Sequence, residues 1–323
     1  MNTAWRPGHT LEVARLRARM LARARQWFAD RDILEVTTPA LDAAAVSDVN
    51  IESIAATIDA LDGPRYLHTS PEYAMKRLLA AGFPDIYQIC TVFRDGEVGR
   101  RHQPEFTMLE WYRHDMDLDA IVRDAVGLIR LLLGDGATPL THDTHHLRYD
   151  DALRTACGVG SDSAIDALRA AAGDALTPGI EHDRDALLDY LFACEVAPGF
   201  ADETLTVITH YPAAQAALAR IDAASGRALR FEVFHGALEL ANGFVELTDA
   251  VTQRQRFDND QSKRRALGRA LRPLDERFLA ALSHGLPDCA GVALGFDRLV
   301  MRAAGCDTIG AVTSFPHGKA SSS

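Results

Sequence analysis

The chain has 323 residues, 47% hydrophobic and 24% charged, an ordinary composition for a folded protein with a substantial core. Its formal charge of -11, from 34 basic against 45 acidic side chains, argues against a surface that tracks nucleic-acid phosphates, although a local basic patch is compatible with it. The five cysteines are scattered with no CxxC pair, MNTAWRPGHT has no apolar leader core, and no run reaches the length of a membrane span, so a cytoplasmic protein without disulfide framework or zinc knuckle is expected.

In chain order, Thr10 is placed to cap a helix running to about Asp30, with Leu16, Met20, Ala24 and Trp27 on one stripe and Arg15, Arg19 and Arg23 on another. The basic stripe reads as a solvated face and, in so acidic a protein, as a place for an acidic partner to dock. ILEVTTPAL, from Ile33 to Leu41, reads as a strand with Pro39 at its end or on an edge. Ser70-Pro71-Glu72 opens a helix, with the hydroxyl as cap, that closes at Gly82. Tyr87 to Arg94 and Phe106 to Tyr112 both alternate around a loop containing Gly96 and Gly99, which predicts an antiparallel hairpin with a long mobile connection.

From about Asp115 to Phe200 the chain is rich in Ala and Leu and reads as mostly helical, with DSAIDALRAAAGDAL and DRDALLDYLFA each opening on an Asp cap. His142, His145 and His146 in THDTHH lack a framing carboxylate or cysteine, so a metal site is not expected there. Strand signals return at Leu205 to Pro212, Phe231 to Leu247 and Gly291 to Gly295, the last leading into a helix from about Phe296. Strands clustered late, without a βαβα rhythm, predict an α+β fold with a mainly antiparallel sheet. There is no P-loop and no GxGxxG, so a nucleotide would have to be held another way.

Period-2 geometry puts Phe106, Met108, Glu110 and Tyr112 on one face, and Asn242, Phe244 and Glu246 on one face of a later strand. Two carboxylates beside a phenol and an amide suit an ammonium ligand; ion pairing to arginines on the sheet is the structural alternative. GVALGFDRL carries Gly291, Ala293 and Gly295 on one face, small enough for a ring or substrate chain to lie against the backbone. Arg94 and Arg298 could clamp the α and γ phosphates of a nucleotide triphosphate, because guanidinium forks match phosphate oxygens.

These segments together resemble the class II aminoacyl-tRNA synthetases. Arg94 with its loop and His102, Pro104, Glu105 and Phe106 is similar to motif 2, GVALGFDRL to motif 3, and EVTTPAL to the motif 1 strand. SPEYAMKRLL, HQPEFTMLEWY and ELANGFVELTDA resemble the lysine-pocket segments of the lysyl branch, and the similarity runs from about residue 11 to 315. The resemblance implies that Arg94 grips the α-phosphate and the carboxylate being activated and that Arg298 meets the γ-phosphate. It implies ATP contacts at Asp95, Gly96, Glu97, His102, Gln103, Glu239, Leu240 and Gly295. The amino-acid pocket would comprise Ser70, Pro71, Glu72, Glu110, Tyr112, Asn242, Phe244, Glu246 and Ala293. Glu239, with Glu246, would hold Mg2+ on the ATP phosphates.

The first core helix is reached by Thr10, so no anticodon reader is expected, nor stable tRNA binding. Free-standing lysyl-type cores of this length resemble the ligases that activate (R)-beta-lysine, or lysine, and transfer it to elongation factor P. That likeness implies a homodimer with one catalytic domain over residues 1–318, and the low-complexity stretch 319–323 reads as a disordered tail. Two positions depart from the family pattern: Gly96 stands where a glutamate usually touches adenine, leaving Glu97 or the backbone for that contact, and Gln103 replaces an asparagine. A lysyl-type core acting on tRNA, a catalytically inactive regulatory paralogue and an asparagine-synthetase-like core are the alternatives.

Overall fold

Thr10 does cap the first helix: its side chain accepts from Val13 N, and α1 (Leu11–Ala29) buries Leu16, Met20, Ala24 and Trp27, with Phe28 added to the stripe. A computed structural model describes residues 5–134, 136, 140, 143–173, 176 and 179–317. Elements are numbered in chain order. One large sheet organises the molecule, in the order β1 (Leu34–Glu35), β5 (Ile86–Phe93), β6 (Glu105–His114), β11 (Cys289–Gly295), β10 (Leu238–Val245), β9 (Ala228–His235), β8 (Leu205–Tyr211) and β7 (Thr144–Arg148). Its two outer pairs, β1 with β5 and β7 with β8, are parallel and all inner pairs antiparallel, as an α+β reading requires. A small sheet, β2 (Leu41–Asp42), β4 (Arg65–Leu67) and β3 (Ala55–Ala56), lies beyond it.

Three expectations need correction. The run Ile33 to Leu41 is not one strand: β1 pairs only Leu34 and Glu35, and beyond Pro39, which has no N–H to donate, the chain leaves for the second sheet. Phe231 to Leu247 is a hairpin, turned at Gly236 with φ 54° where a side chain would collide with Asp202 and Arg302. Asp162 does not cap a helix, because it pairs with Arg227 at 2.6 Å and α5 (Ile165–Ala172) begins later without a side-chain cap. His145 and His146 sit exposed on β7, an edge strand whose side chains show no apolar alternation to betray it; His142 lies outside the described residues.

Helices cover the two faces unequally. Behind the sheet, α1, α3 (Leu118–Leu133, capped by Asp117) and α9 (Phe296–Ala303) pack on Leu109, Trp111, Val233, Val292 and Leu294. On the front, α2 (Glu72–Ala80), α7 (Ala250–Ala266) and α8 (Glu276–Gly285) pack on Ile86 and Tyr112 at one end. At the other end α4 (Tyr149–Cys157), α5 and α6 (Arg184–Leu191, capped by Asp183) pack on Ile208, Phe234 and Phe244. Between these two front clusters the sheet is left open, and the cavity of the site lies there. Among the described residues no helix is long and apolar enough to cross a membrane.

Candidate active site

The open front holds a cavity of about 1120 Å³ lined by Ser70, Pro71, Glu72, Arg94, Met108, Glu110, Tyr112, Asn242, Phe244, Glu246, Gly291 and Ala293. Strand register explains the grouping. Gly291, Ala293 and Gly295 of β11 stand opposite Tyr112, Glu110 and Met108 of β6, while Gly291 and Ala293 also face Phe244 and Asn242 of β10. The small side chains form the floor and the larger ones the two walls. At Gly291 no other residue fits: a Cβ would strike the Tyr112 ring and lie 2.6 Å from Glu246 Oε1.

At the inner end Glu110 is buried and held in one rotamer, accepting from Tyr112 OH at 2.6 Å and from Ser70 Oγ at 2.7 Å. Ser70 Oγ also accepts from Glu72 N at 3.0 Å, so one hydroxyl meets the first N–H of α2 and orients a pocket carboxylate, although the cap position is Pro71 and not Ser70 as expected. Glu246 is fully buried, and its partner is neither an arginine nor an empty space: Lys76 Nζ lies 2.5 Å from Glu246 Oε2 and 2.6 Å from Glu72 Oε1. The Lys76 ammonium lies 5.9, 5.3 and 5.8 Å from the ring centres of Tyr112, Phe244 and Phe278. Burial opposes its charge, yet Glu246 and then Glu72 outweigh burial and hold Lys76 protonated. Burial, helped by Glu72, pushes the Glu110 carboxyl up to about 7, and burial raises Glu246 as well.

The outer end is cationic. Arg94 N donates to Pro104 O at 2.9 Å, its guanidinium lies 5.2 Å from the Phe106 ring centre and 3.6 Å from Glu97, and its buried Nε has no hydrogen-bond partner among the described residues. Arg298 donates to Glu239 O at 3.0 Å and lies 2.7 Å from His102 Nε2 and 3.4 Å from the Glu239 carboxylate. Burial and then Arg298 lower the His102 pKa, favouring the neutral ring. A β-bulge between Glu239 and Ala241 lets Glu239 share the front face with Asn242, although strict alternation would not.

That bulge also turns the Leu240 side chain into the rear core, so only the Leu240 backbone could meet a nucleotide. The pairing of Glu239 with Glu246 on one Mg2+ fails: seven residues of strand separate them by about 23 Å, and Glu246 is committed to Lys76. Gln103 is tied elsewhere, its Oε1 accepting from His317 N at 2.7 Å. Asp95 and Gly96 enter the hairpin loop, with Asp95 N donating to Glu52 O at 2.9 Å and Gly96 at φ 79°.

Three residues were not singled out by sequence reasoning. Lys76 was visible as an i,i+4 partner of Glu72, but nothing local announced Glu246 as its second partner. Gln88, directly across from Glu110 in register, is buried with Oε1 unbonded among the described residues. Arg230, on the front of β9, reaches Asn242 Oδ1 at 3.0 Å.

The family model described as tRNA synthetases class II (D, K and N) matches residues 3–319. The chain belongs to this family. Within these class II synthetase-like proteins it is 44% identical over 322 residues to an elongation factor P–(R)-beta-lysine ligase of Photorhabdus laumondii, covering 98% of each chain. Relatives with the same name are 41% identical in Avibacterium paragallinarum (96% of this chain, 97% of the relative) and 42% identical in Vibrio parahaemolyticus (98% and 99%). The lysyl-type motifs of the class II family are thus carried by segments that the sheet brings to one cavity.

Proposed function

We propose that the chain is an ATP-dependent, AMP-forming ligase that activates (R)-beta-lysine and transfers it to a lysine ε-amino group of elongation factor P, in the cytoplasm. One observation carries the choice of a diamino acid. At the inner end three carboxylates, Glu72, Glu110 and Glu246, face one ammonium, Lys76, leaving two negative charges for a substrate with two ammonium groups. The names and near-complete coverage of the relatives support the same reading.

In this reading the substrate carboxylate lies toward the Arg94 guanidinium, which lines the cavity, and attacks the α-phosphate in line. Arg298, carried at the start of α9 beside Glu239 and His102, neutralises charge on the departing pyrophosphate. Mg2+, when bound, would supply further charge neutralisation, held by Glu239 and phosphate oxygens, which suits an ion that takes few protein carboxylates. The adenylate carbonyl is then attacked by the acceptor amine, forming an amide and releasing AMP. Arg17, paired with Asp297 at 2.5 Å, and Asp297, accepting from Thr107 N at 2.9 Å, lock α9 to β6 and so fix the distance between the two ends.

The test incubates the protein with ATP, each lysine isomer and elongation factor P and weighs the factor by mass spectrometry. A single added beta-lysyl mass, dependent on ATP, is expected. An unmodified factor beside adenylated product would place the acceptor elsewhere.

A further inference from the structure

We propose that Arg230 is a positioning residue that fixes the Asn242 carboxamide so that its NH2 group, and not its oxygen, is offered to the substrate carboxylate. The inference rests on the diamino-acid reading above and adds to it the device that sets substrate polarity.

Arg230 and Glu232 stand on the front of β9, next to Asn242 and Phe244 of β10. Every arm of the Arg230 guanidinium is engaged: Nε donates to Asn242 Oδ1 at 3.0 Å, one terminal nitrogen to Gln215 O at 2.7 Å, and the other to Glu232 Oε1 at 2.5 Å. The guanidinium also lies 4.5 Å from the Tyr211 ring centre, so it is held from its face as well as its edges. A guanidinium can donate but not accept. Whichever way the Asn242 amide is turned, the atom facing Arg230 must therefore be its oxygen.

With the oxygen so used, the two N–H bonds of Asn242 are left for the cavity that it lines. They suit a carboxylate oxygen and are wrong for an ammonium. Asn242 stands opposite Ala293, which in turn faces Glu110, so this donor sits where the carboxylate-rich inner end gives way to the Arg94 end. The amide would otherwise be free to flip and offer its oxygen to a misplaced amine. Arg230 thus helps make the pocket read a diamino acid in one direction only.

Removing the Arg230 charge would leave the Glu232 carboxylate, held at 2.5 Å, without its partner. The test therefore uses Arg230→Lys, which keeps a charge beside Glu232 but loses the fork that reaches Asn242, and Asn242→Asp, which still accepts from Arg230 but presents an oxygen in place of the NH2 group. Pyrophosphate exchange gives KM for the amino acid and for ATP, and 1,5-diaminopentane, which has no carboxylate, is the competitive inhibitor. In both variants KM for the amino acid should rise about tenfold or more, the loss of a charge-assisted hydrogen bond, while KM for ATP stays within about twofold and the diamine inhibition constant does not rise. Should Arg230→Lys fail to fold, Asn242→Asp carries the test. An unchanged amino-acid KM in the folded variants, or a diamine constant rising in parallel with it, would overturn the inference while leaving the diamino-acid reading intact. Wild-type protein that supports no exchange with any lysine isomer would overturn both.

Discussion

Lys76 is the residue on which the inner pocket turns. It is the cation that lets Glu72 and Glu246 share the inner pocket, and in the proposed reading it leaves Glu110 and one further charge for the ligand. Lys76→Met should destabilise the empty protein by about 3–5 kcal/mol, because a buried carboxylate loses its partner; urea unfolding measures this, and a variant as stable as wild type would show that Glu246 is neutral in the fold. In the proposed reaction Ala293 is the candidate for selectivity between isomers. Its methyl stands between Glu110 and Asn242, where moving the amino group from the α to the β carbon changes the shape required. One methyl is worth about 1–3 kcal/mol of discrimination, so Ala293→Gly should raise kcat/KM for α-lysine relative to (R)-beta-lysine. A ratio that stays fixed would move selectivity to Ser70, which orients Glu110.

Among elements, the β5–β6 hairpin joins fold and chemistry. Its strands are in full register from Ile86 opposite Tyr112 to Phe93 opposite Glu105, so it places Arg94 at one end and Glu110 and Tyr112 along the other strand. Arg94 itself adds little to that hairpin: its Glu97 contact is long and partly exposed, the kind of pair worth well under about 1 kcal/mol. Arg94→Ala should therefore abolish pyrophosphate exchange with the melting temperature nearly unchanged, and an active but destabilised variant would assign Arg94 a structural role instead. The hairpin was legible because its alternation is local. The neighbouring Glu239 was legible only as a resemblance, since the bulge that turns it to the front follows from pairing with β9.

At the scale of the whole molecule, the empty pocket couples stability to pH. Glu110 keeps its proton up to about 7 in the fold, whereas in the unfolded chain it loses it near the ordinary value of 4.5. The folded state therefore binds more protons between these values, and its stability falls as pH rises through that window and stays reduced above it. A diammonium ligand needs the charged carboxylate and relieves the cost, so 1,5-diaminopentane or beta-lysine should raise the melting temperature more at about pH 8.5 than at about pH 6. A larger shift at the lower pH would contradict a protonated empty pocket. The short edge strand β1, with Leu34 exposed on it, forms an edge suited to a second copy. Light scattering should report a homodimer at micromolar concentration, and an active monomer would refute it.

Caps, alternation and turn residues are short-range, and they sufficed for α1, the hairpin, the front faces of β6 and β10, and the small-residue floor of β11. The side chains gathered on those faces were sufficient to group Arg94, Glu110, Tyr112, Asn242 and Glu246 at one cavity, on which the proposed phosphate and amine contacts rest. Other features depended on which segments meet in space. The split of Ile33 to Leu41 between two sheets, the edge strand at Thr144, the bulge before Ala241 and the burial of Lys76 against Glu246 all depend on partners far along the chain. Lys76 lies 170 positions before Glu246, and only the packing of α2 against the sheet makes them neighbours. Local sequence sets which face a side chain can take; tertiary packing sets which charge it meets there, and that pairing determines how much charge is left for the substrate.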